Sequence, residues 1–387
     1  MTQVSRGAPE RPSLRTMALS VDDLRVFFGD EHVALGARLK AVAPSIDVDD
    51  DRGAAQALAD GGLFELVVPS GRIDTRGLCL AREMLGYVSP RADSIFAVQG
   101  LGTHAIVLAG SDEQRATLKA FARGAGIAAF ALTEPDAGSD VAAIKTRAAP
   151  TADGYRLDGE KLFISNLGIA DHATVIATTE PSLGSAGLTA FWVPLDAPGV
   201  TVKPLVASAP HPIGSLHLAG VNLPVSARIG DVGQGMKLAL QTLDAFRVSV
   251  GAAAVGMARR AFDEALAFVT KRVQFGKPLS EQPLIQAHLA DMIVDLDAAR
   301  LLVLRAAHLK DTTSGRITTE VSIAKLGATE AAQRVIDTAV QLFGGRGVMQ
   351  GAVVEHLYRA IRPLRIYEGT SEIQRTIIGR ALAQGGK

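Results

Sequence analysis

The chain has 387 residues, of which 48% are hydrophobic and 21% charged; this balance is typical of a globular protein, and the length predicts two or three domains. Lys plus Arg number 40 and Asp plus Glu number 40, so a formal charge of +0 gives no reason to expect a nucleic acid or a membrane surface as partner. The single cysteine, Cys79, rules out an internal disulfide, and the eight histidines show no HExxH spacing, so no metal is expected.

The first 20 residues, beginning "MTQVSRGAPERP", are polar and contain proline. They lack the apolar core of a secretory signal and are predicted to form a disordered tail. Their arginines and serines would also suit a transit peptide, although no amphipathic helix is evident. No apolar run elsewhere approaches the roughly 20 residues that span a bilayer. The expected location is therefore the cytoplasm, without membrane attachment.

Residues 21–126 have a helical pattern and are predicted to form an N-terminal α-helical domain. Apolar residues recur near helical spacing in its first segment: Leu24, Phe27, Val33, Leu35 and Leu39. Ser111 is the predicted N-cap of a later helix that ends at Gly124 or Gly126.

Residues 127–233 have a different texture. Short apolar runs such as "IAAFAL", "HATVIATT" and "LTAFWVPL" alternate with Gly, Pro and Asp turns. Six of the 17 prolines lie between Pro194 and Pro224, and proline cannot donate a hydrogen bond inside a sheet. We predict a middle domain that is a compact antiparallel β-barrel or sandwich.

Residues 234–387 return to long helical patterns and predict a C-terminal four-helix bundle. One helix carries a heptad-like apolar seam: Ile285, Leu289, Met292, Leu296, Ala299 and Val303. The glycines at 233 and 235 lack a preceding βαβ unit, so they predict a turn into a helix and not a Rossmann site. With no internal repeat, the fold class is α+β.

Four motifs have both a functional and a purely structural interpretation. "LTEPDAGSD" (132–140) offers hydroxyls and open backbone to an anionic group, or is a surface turn. "RVQFGKP" (272–278) and "QLFGGRGV" (341–348) are ligand contacts, or simply helix ends with their caps. "IYEGTSEIQ" (366–374) holds Glu368 as a catalytic base, or is a loop before a helix capped by Thr370 or Ser371.

Taken in this order on an α–β–α layout, and with "GEKLFISN", these motifs resemble the acyl-CoA dehydrogenases from about Val21 onward. The resemblance implies FAD-dependent α,β-dehydrogenation of an acyl-CoA thioester to the trans-2-enoyl-CoA. Glu368 would abstract the α-proton and flavin N5 would accept the β-hydride. A carboxylate suits this role in a dry site, because burial raises its proton affinity. Some relatives place the base just before the residue matching Arg247; here that residue is Phe246, which cannot abstract a proton.

The resemblance also implies the remaining site residues. Flavin contacts come from the first strand and from "FIS", where relatives often have Trp in place of Phe163: Phe130, Leu132, Thr133, Gly138, Ser139, Phe163 and Ser165. Contacts to the FAD of a partner subunit are expected from Arg272, Phe275, Gln341, Gly344 and Gly345, and Thr370 and Glu372 would close over its phosphate and ribose side. The thioester and its carrier would be held by Ser139, Asp244, Phe246, Arg247, Tyr367 and Gly369.

Substrate and partners follow from the same resemblance. If the Phe246 ring enters the acyl pocket, it favours a short, branched or cyclic acyl group; otherwise it packs in the core. Asp244 and Arg247 either bind the carrier or simply form a salt bridge with each other within one helix. We expect a homo-oligomer, a dimer or homotetramer, with electron-transferring flavoprotein as acceptor, in fatty acid or carboxylic acid metabolism. Two other functions stay open: dehydrogenation of an acyl group on a carrier protein, and a flavin-binding scaffold without dehydrogenase activity.

Overall fold

Helices form the first part of the chain in the computed structural model, which describes residues 21, 24–46 and 48–385. The tail predicted for residues 1–20 lies outside the described residues. The helices are α1 (Asp30–Ile46), α2 (Asp51–Asp60), α3 (Thr75–Val88), α4 (Pro90–Ala109) and α5 (Asp112–Ala122). Ser111 caps α5 as predicted, because its Oγ accepts from Gln114 N–H at 3.2 Å while the Gln114 side chain accepts from Ser111 N–H at 3.0 Å.

A sheet forms the middle of the chain. Its strands are β1 (Ala128–Ala131), β2 (Arg147–Pro150), β3 (Gly154–Ser165), β4 (His172–Thr178), β5 (Leu188–Pro194), β6 (Val200–Pro204), β7 (Ile213–Pro224) and β8 (Arg228–Ile229). The order is β6-β7-β3-β2-β4-β5-β8, with β1 beside β4. Most pairs are antiparallel as predicted, but β1 and β2 each pair with β4 in parallel. Alternating burial fixes the face on which a side chain lies, whereas it says nothing about the direction of the neighbouring strand.

Long helices return after the sheet: α6 (Gly235–Lys271), α7 (Pro283–Thr312) and α8 (Thr318–Phe343), followed by the shorter α9 (Val353–Ile361) and α10 (Ser371–Ala383). A hairpin of β9 (Val273–Gln274) and β10 (Lys277–Pro278) separates α6 from α7. The predicted seam of α7 is confirmed, since Met292, Leu296, Ala299 and Val303 are buried and Ile285 and Leu289 pack against the same core. The bundle therefore consists of three long helices with two short ones packed on α8.

Helices α3 and α6 cross with their backbones almost touching. A Cβ added to Gly86 of α3 would lie 2.3 Å from the Ala253 carbonyl oxygen, and one added to Gly256 of α6 would lie 2.1 Å from the Glu83 carbonyl oxygen. Only a hydrogen atom fits at these two positions. The close crossing packs the N-terminal helices against the bundle. It thereby brings α3 close to the site described below.

Helices α4 and α6 are long and apolar enough to cross a membrane by length and composition alone, which the sequence analysis did not expect. In each helix 72% of the apolar window is buried inside the protein. Their apolar surface is therefore already covered by the cores around them.

Candidate active site

Glu368 lies on a tight turn immediately before α10. Its φ is +52° and that of Gly369 is +91°, so two successive residues adopt the left-handed conformation. Thr370 is the N-cap of α10, its Oγ1 accepting from Ile373 N–H at 3.3 Å. The capping role of Thr370 and a chemical role for Glu368 are thus compatible, because they belong to different residues of one turn.

The carbonyl groups of the turn accept hydrogen bonds from side chains of three helices of the bundle. Arg247 of α6 donates its Nε–H to the Glu368 carbonyl oxygen at 3.0 Å, and Lys325 of α8 donates to the Gly369 carbonyl oxygen at 2.9 Å. Gln374 donates its amide to the same two oxygens, at 3.3 and 3.0 Å. These contacts leave the Glu368 side chain outside the network that fixes its backbone.

The Glu368 carboxyl group is buried and free. The residue is 9% exposed, and its Oε2 has no hydrogen-bond partner among the described residues. Burial raises the pKa of Glu368, and the nearby cations Arg82, Arg247 and Lys325 partly oppose that rise. A buried carboxyl group with raised proton affinity and no structural partner is suited to accept a proton from a bound molecule.

A buried ion pair whose charges act on Glu368 was not predicted from the sequence. Arg82 of α3 donates to both carboxylate oxygens of Asp93 on α4, at 2.8 and 2.7 Å, and to Ser249 Oγ of α6 at 3.1 Å. Both charged side chains are 1% exposed. One signal was present, since Arg82 and Asp93 each lie close to apolar residues in "CLAREML" and in "PRADSIF". Lys325 and Gln374 were also missed: nothing in the local sequence of Lys325 points to Glu368, whereas Gln374 ends the motif that contains it.

Asp244 and Arg247 do not form the helix salt bridge that was the structural alternative. Asp244 pairs instead with Lys310 of α7 at 2.8 Å, while Arg247 holds the Glu368 turn at 3.0 Å. Tyr367, the residue before Glu368, is 37% exposed. Of the residues of α6 that were expected to contact the substrate carrier, Arg247 is in direct contact with the turn.

Phe246 is fully buried between α4 and α6. Its ring packs edge-on against His104, with centroids 5.5 Å apart, and a Cβ on Gly100 would lie 2.5 Å from it. The ring thus fills the space that the missing side chain of Gly100 leaves open.

The flavin contacts expected from the middle of the chain lie side by side on β1 and β3. Leu162 N–H donates to the Thr133 carbonyl oxygen at 2.9 Å, so the end of β1 runs beside the part of β3 that carries Phe163 and Ser165. Phe130 is partly buried and Leu132 is buried at the same end of β1, whereas Phe163 is 64% exposed. Two aromatic residues and the hydroxyl-bearing Thr133 and Ser165 therefore lie in one region.

A buried pair supports the loop that follows β1. Glu134 accepts hydrogen bonds from Lys145 N–H at 2.7 Å, Thr146 N–H at 2.9 Å and Lys161 Nζ at 2.8 Å. Ser139 in this loop is exposed, and a Cβ on Gly138 would meet nothing within 4 Å. The loop therefore presents open backbone that an anionic ligand can approach closely.

The second group of expected cofactor contacts lies at one end of the bundle. Phe275, on the β9–β10 turn, is 95% exposed, and the ring stack of Phe268 on Phe343, with centroids 4.4 Å apart, brings that turn close to the end of α8. Gly344 and Gly345 there have nothing within 4 Å of an added Cβ. Arg272 and Gln341 are exposed as well, and so is Glu372 at the start of α10. Open glycine backbone, the exposed Phe275 ring and the cation Arg272 fit the pyrophosphate and ring system of FAD.

Backbone strain coincides with three of the predicted site residues. Among the described residues, the non-glycine residues with positive φ are Phe163, Asn166, Phe275 and Glu368. Such conformations cost about 1–3 kcal/mol each and cluster at functional sites. The strain independently singles out residues that the motifs had already indicated.

Comparisons with known proteins find relatives of this chain in both sequence and structure. The family profile "Acyl-CoA dehydrogenase, middle domain" matches residues 129–221, and "Acyl-CoA dehydrogenase, C-terminal domain" matches residues 233–383. The chain is 38% identical to the "Probable acyl-CoA dehydrogenase FadE25" of Mycobacterium tuberculosis over 80% of each chain. It is 36% identical to the human mitochondrial short-chain specific acyl-CoA dehydrogenase, over 87% of this chain and 84% of the relative. The solved butyryl-CoA dehydrogenase of Megasphaera elsdenii is 31% identical, with a TM-score of 0.83 over 97% of this chain and all of that one.

Proposed function

Because the chain belongs to the acyl-CoA dehydrogenase family, we propose that Glu368 is the base with which it dehydrogenates a short, branched or cyclic acyl-CoA. Family membership makes the chain an FAD-dependent oxidoreductase that acts on CH–CH bonds. The observation that carries the assignment of the base is the buried Glu368 carboxyl group, which has raised proton affinity and an Oε2 without a partner among the described residues.

The turn that carries Glu368 is suited to remove a proton from the carbon next to the carbonyl group of an acyl thioester. The ionised Glu368 carboxylate accepts the α-proton, and the acyl carbonyl oxygen gains negative charge as that proton leaves. Among the described residues the Glu368 N–H donates to no protein acceptor. An unpaired N–H beside the base is a suitable donor to the charged oxygen. Arg247 contributes by holding the Glu368 carbonyl, which keeps this peptide in its left-handed conformation.

One group of cofactor residues would hold the flavin of its own subunit, and the other would contact the FAD of a partner subunit. The end of β1 and the "FIS" segment of β3 supply one group, and the β9–β10 turn with the glycines after α8 supplies the other. FAD, when bound, supplies the acceptor for the hydride that leaves the β-carbon. The protein's own contribution is to exclude water around Glu368 and to orient the thioester against it.

The proposal of a compact acyl group rests on Phe246. Its buried ring fills the space beside Gly100 of α4, and an acyl group that borders this space would have to be compact. We expect Phe246→Gly to extend the preferred chain length, and Phe246→Leu to act in the same direction but less. The measurement is kcat/KM over a series of straight-chain acyl-CoAs. An unchanged preference in both variants would place the ring in the core without a role in specificity.

The base is tested by anaerobic bleaching of the flavin absorption with a panel of straight, branched and cyclic acyl-CoAs. We expect one class to bleach the wild-type protein rapidly, Glu368→Gln to lose at least about a thousandfold in rate, and the exposed Glu113→Gln to behave as wild type. Full activity in Glu368→Gln would refute the assignment. Bleaching only by an acyl group on a carrier protein would favour the carrier-linked alternative, and a protein that takes up no FAD would contradict the whole proposal.

Assembly, electron acceptor and location belong to the same proposal. Large exposed apolar side chains on the β9–β10 hairpin and α7, among them Phe275, Leu284 and Val294 at 95%, 78% and 67% exposure, favour a homo-oligomer, a dimer or homotetramer. Light scattering of the purified protein measures this directly. Electron-transferring flavoprotein is the proposed acceptor and the cytoplasm the proposed location, to be tested by reduction of purified flavoprotein and by cell fractionation.

A further inference from the structure

Lys325 is a buried cation beside the proposed base. It lies on α8 with 0% exposure, and its Nζ donates to the Gly369 carbonyl oxygen at 2.9 Å. An ammonium group is costly to bury unless a nearby negative charge compensates it. A neighbouring carboxylate is therefore needed to compensate the charge of Lys325.

Charged groups face this region from every element packed around it: Arg82 of α3, Asp93 of α4, Arg247 of α6, Glu330 of α8 and Glu372 of α10. The other carboxylates are engaged or solvated. Asp93 is bound by both Arg82 nitrogens at 2.8 and 2.7 Å, Glu330 accepts from Ser371 Oγ at 2.6 Å, and the Glu372 side chain is 80% exposed. Glu330 also pairs with Arg365 at 2.8 Å. Glu368 is left as the buried carboxylate on which the charge of Lys325 acts.

We propose that Lys325 is a positioning residue for the base: its ammonium group holds the Gly369 carbonyl of the turn, and its positive charge favours the ionised form of the neighbouring Glu368 carboxyl group. The inference rests on the proposed role of Glu368. Burial raises the pKa of Glu368, whereas a base has to be ionised to accept a proton, so a nearby positive charge opposes the effect of burial. Arg247 fixes the preceding carbonyl, so two cations hold successive residues of the strained turn.

Three substitutions separate the charge of Lys325 from its hydrogen bond. Lys325→Arg retains both a positive charge and a donor, Lys325→Gln retains a donor without the charge, and Lys325→Met retains neither. If charge is what matters, Gln and Met variants behave alike and Arg restores the wild-type behaviour. A purely structural role would instead lower the melting temperature without changing any titration.

The first test is the pH dependence of kcat/KM, whose acid limb reports the pKa of the base in the free enzyme. An adjacent cation lowers a carboxyl pKa, so its removal raises that of Glu368, and the active carboxylate then forms only at higher pH. We expect the acid limb to move up by about one pH unit in Lys325→Gln and Lys325→Met, which is about a tenfold loss of rate below the limb. Lys325→Arg is expected to restore it.

The second test needs neither activity nor FAD. Infrared difference spectroscopy of the apoprotein follows the carbonyl band of the protonated Glu368 carboxyl group, identified by its loss in Glu368→Gln. We expect its titration midpoint to rise in Lys325→Gln and Lys325→Met by the same amount as the acid limb. An unchanged midpoint in a folded Gln variant overturns the proposal. If Lys325→Met does not fold, the comparison of Gln with Arg decides alone.

Failure of this inference is distinguishable from failure of the proposed function. An inactive wild-type protein, or an active Glu368→Gln variant, refutes the role of the base and with it the inference. An active wild-type protein that needs Glu368, with the same acid limb in all Lys325 variants, refutes only the role of Lys325.

Discussion

The buried ion pair between Arg82 and Asp93 makes a strong prediction about stability. Both side chains are 1% exposed, and two hydrogen bonds of 2.8 and 2.7 Å join them. Replacing Arg82 by Met leaves the Asp93 carboxylate buried without its partner, which costs about 3–5 kcal/mol of the free energy of unfolding. Replacing both residues, as Arg82→Met with Asp93→Leu, removes the unpaired charge. The double variant is therefore expected to recover at least about 2 kcal/mol of that loss.

Urea unfolding followed by far-UV circular dichroism compares both variants with the wild type at one pH and protein concentration. The matched control is Arg156→Met, which removes an ion pair at 2.9 Å to Asp158 whose side chains are 58% and 45% exposed. Such an exposed pair contributes about 0–1 kcal/mol. Two results would refute the reasoning: an equal loss for Arg82→Met and Arg156→Met, or a double variant no more stable than Arg82→Met.

Three further predictions concern stability at single positions. Burial, and to a lesser degree Lys310, lowers the pKa of His104 from 6.5 to about 4. The unfolded chain therefore takes up a proton that the folded protein excludes. As the pH falls from 6.5 to 4, His104 alone lowers the free energy of unfolding by about 3 kcal/mol. Urea unfolding at both pH values should show a smaller fall in His104→Leu. Gly256→Ala should cost about 1–3 kcal/mol or more because its Cβ would lie 2.1 Å from a backbone oxygen, whereas Gly379→Ala, with open space around it on α10, should stabilise by about 0.5–1 kcal/mol. Thr370→Ala should lower the free energy of unfolding by about 1 kcal/mol through loss of its cap, and Thr370→Ser should retain it.

Local features of this protein could be predicted because they depend on neighbours in the sequence. The cap at Ser111, the seam along α7 and the start of α6 at Gly235 each follow from residues within a few positions of one another. The order of the motifs predicted the family, which the comparisons confirm. It also indicated Glu368, whose assignment as the base stays a prediction.

Tertiary structure alone decided what surrounds Glu368. Lys325, Arg82 and Asp93 lie on helices far from it in the chain, and no periodicity or motif near them refers to the turn. The parallel pairing of β1 and β2 with β4 was also decided by the tertiary structure, because strand direction depends on the path of the chain between the strands. Short-range patterns specify which residues are buried and where an element begins. The proton affinity of a buried carboxyl group depends instead on every charge brought within a few ångströms of it, and only the packing of the helices determines which charges those are.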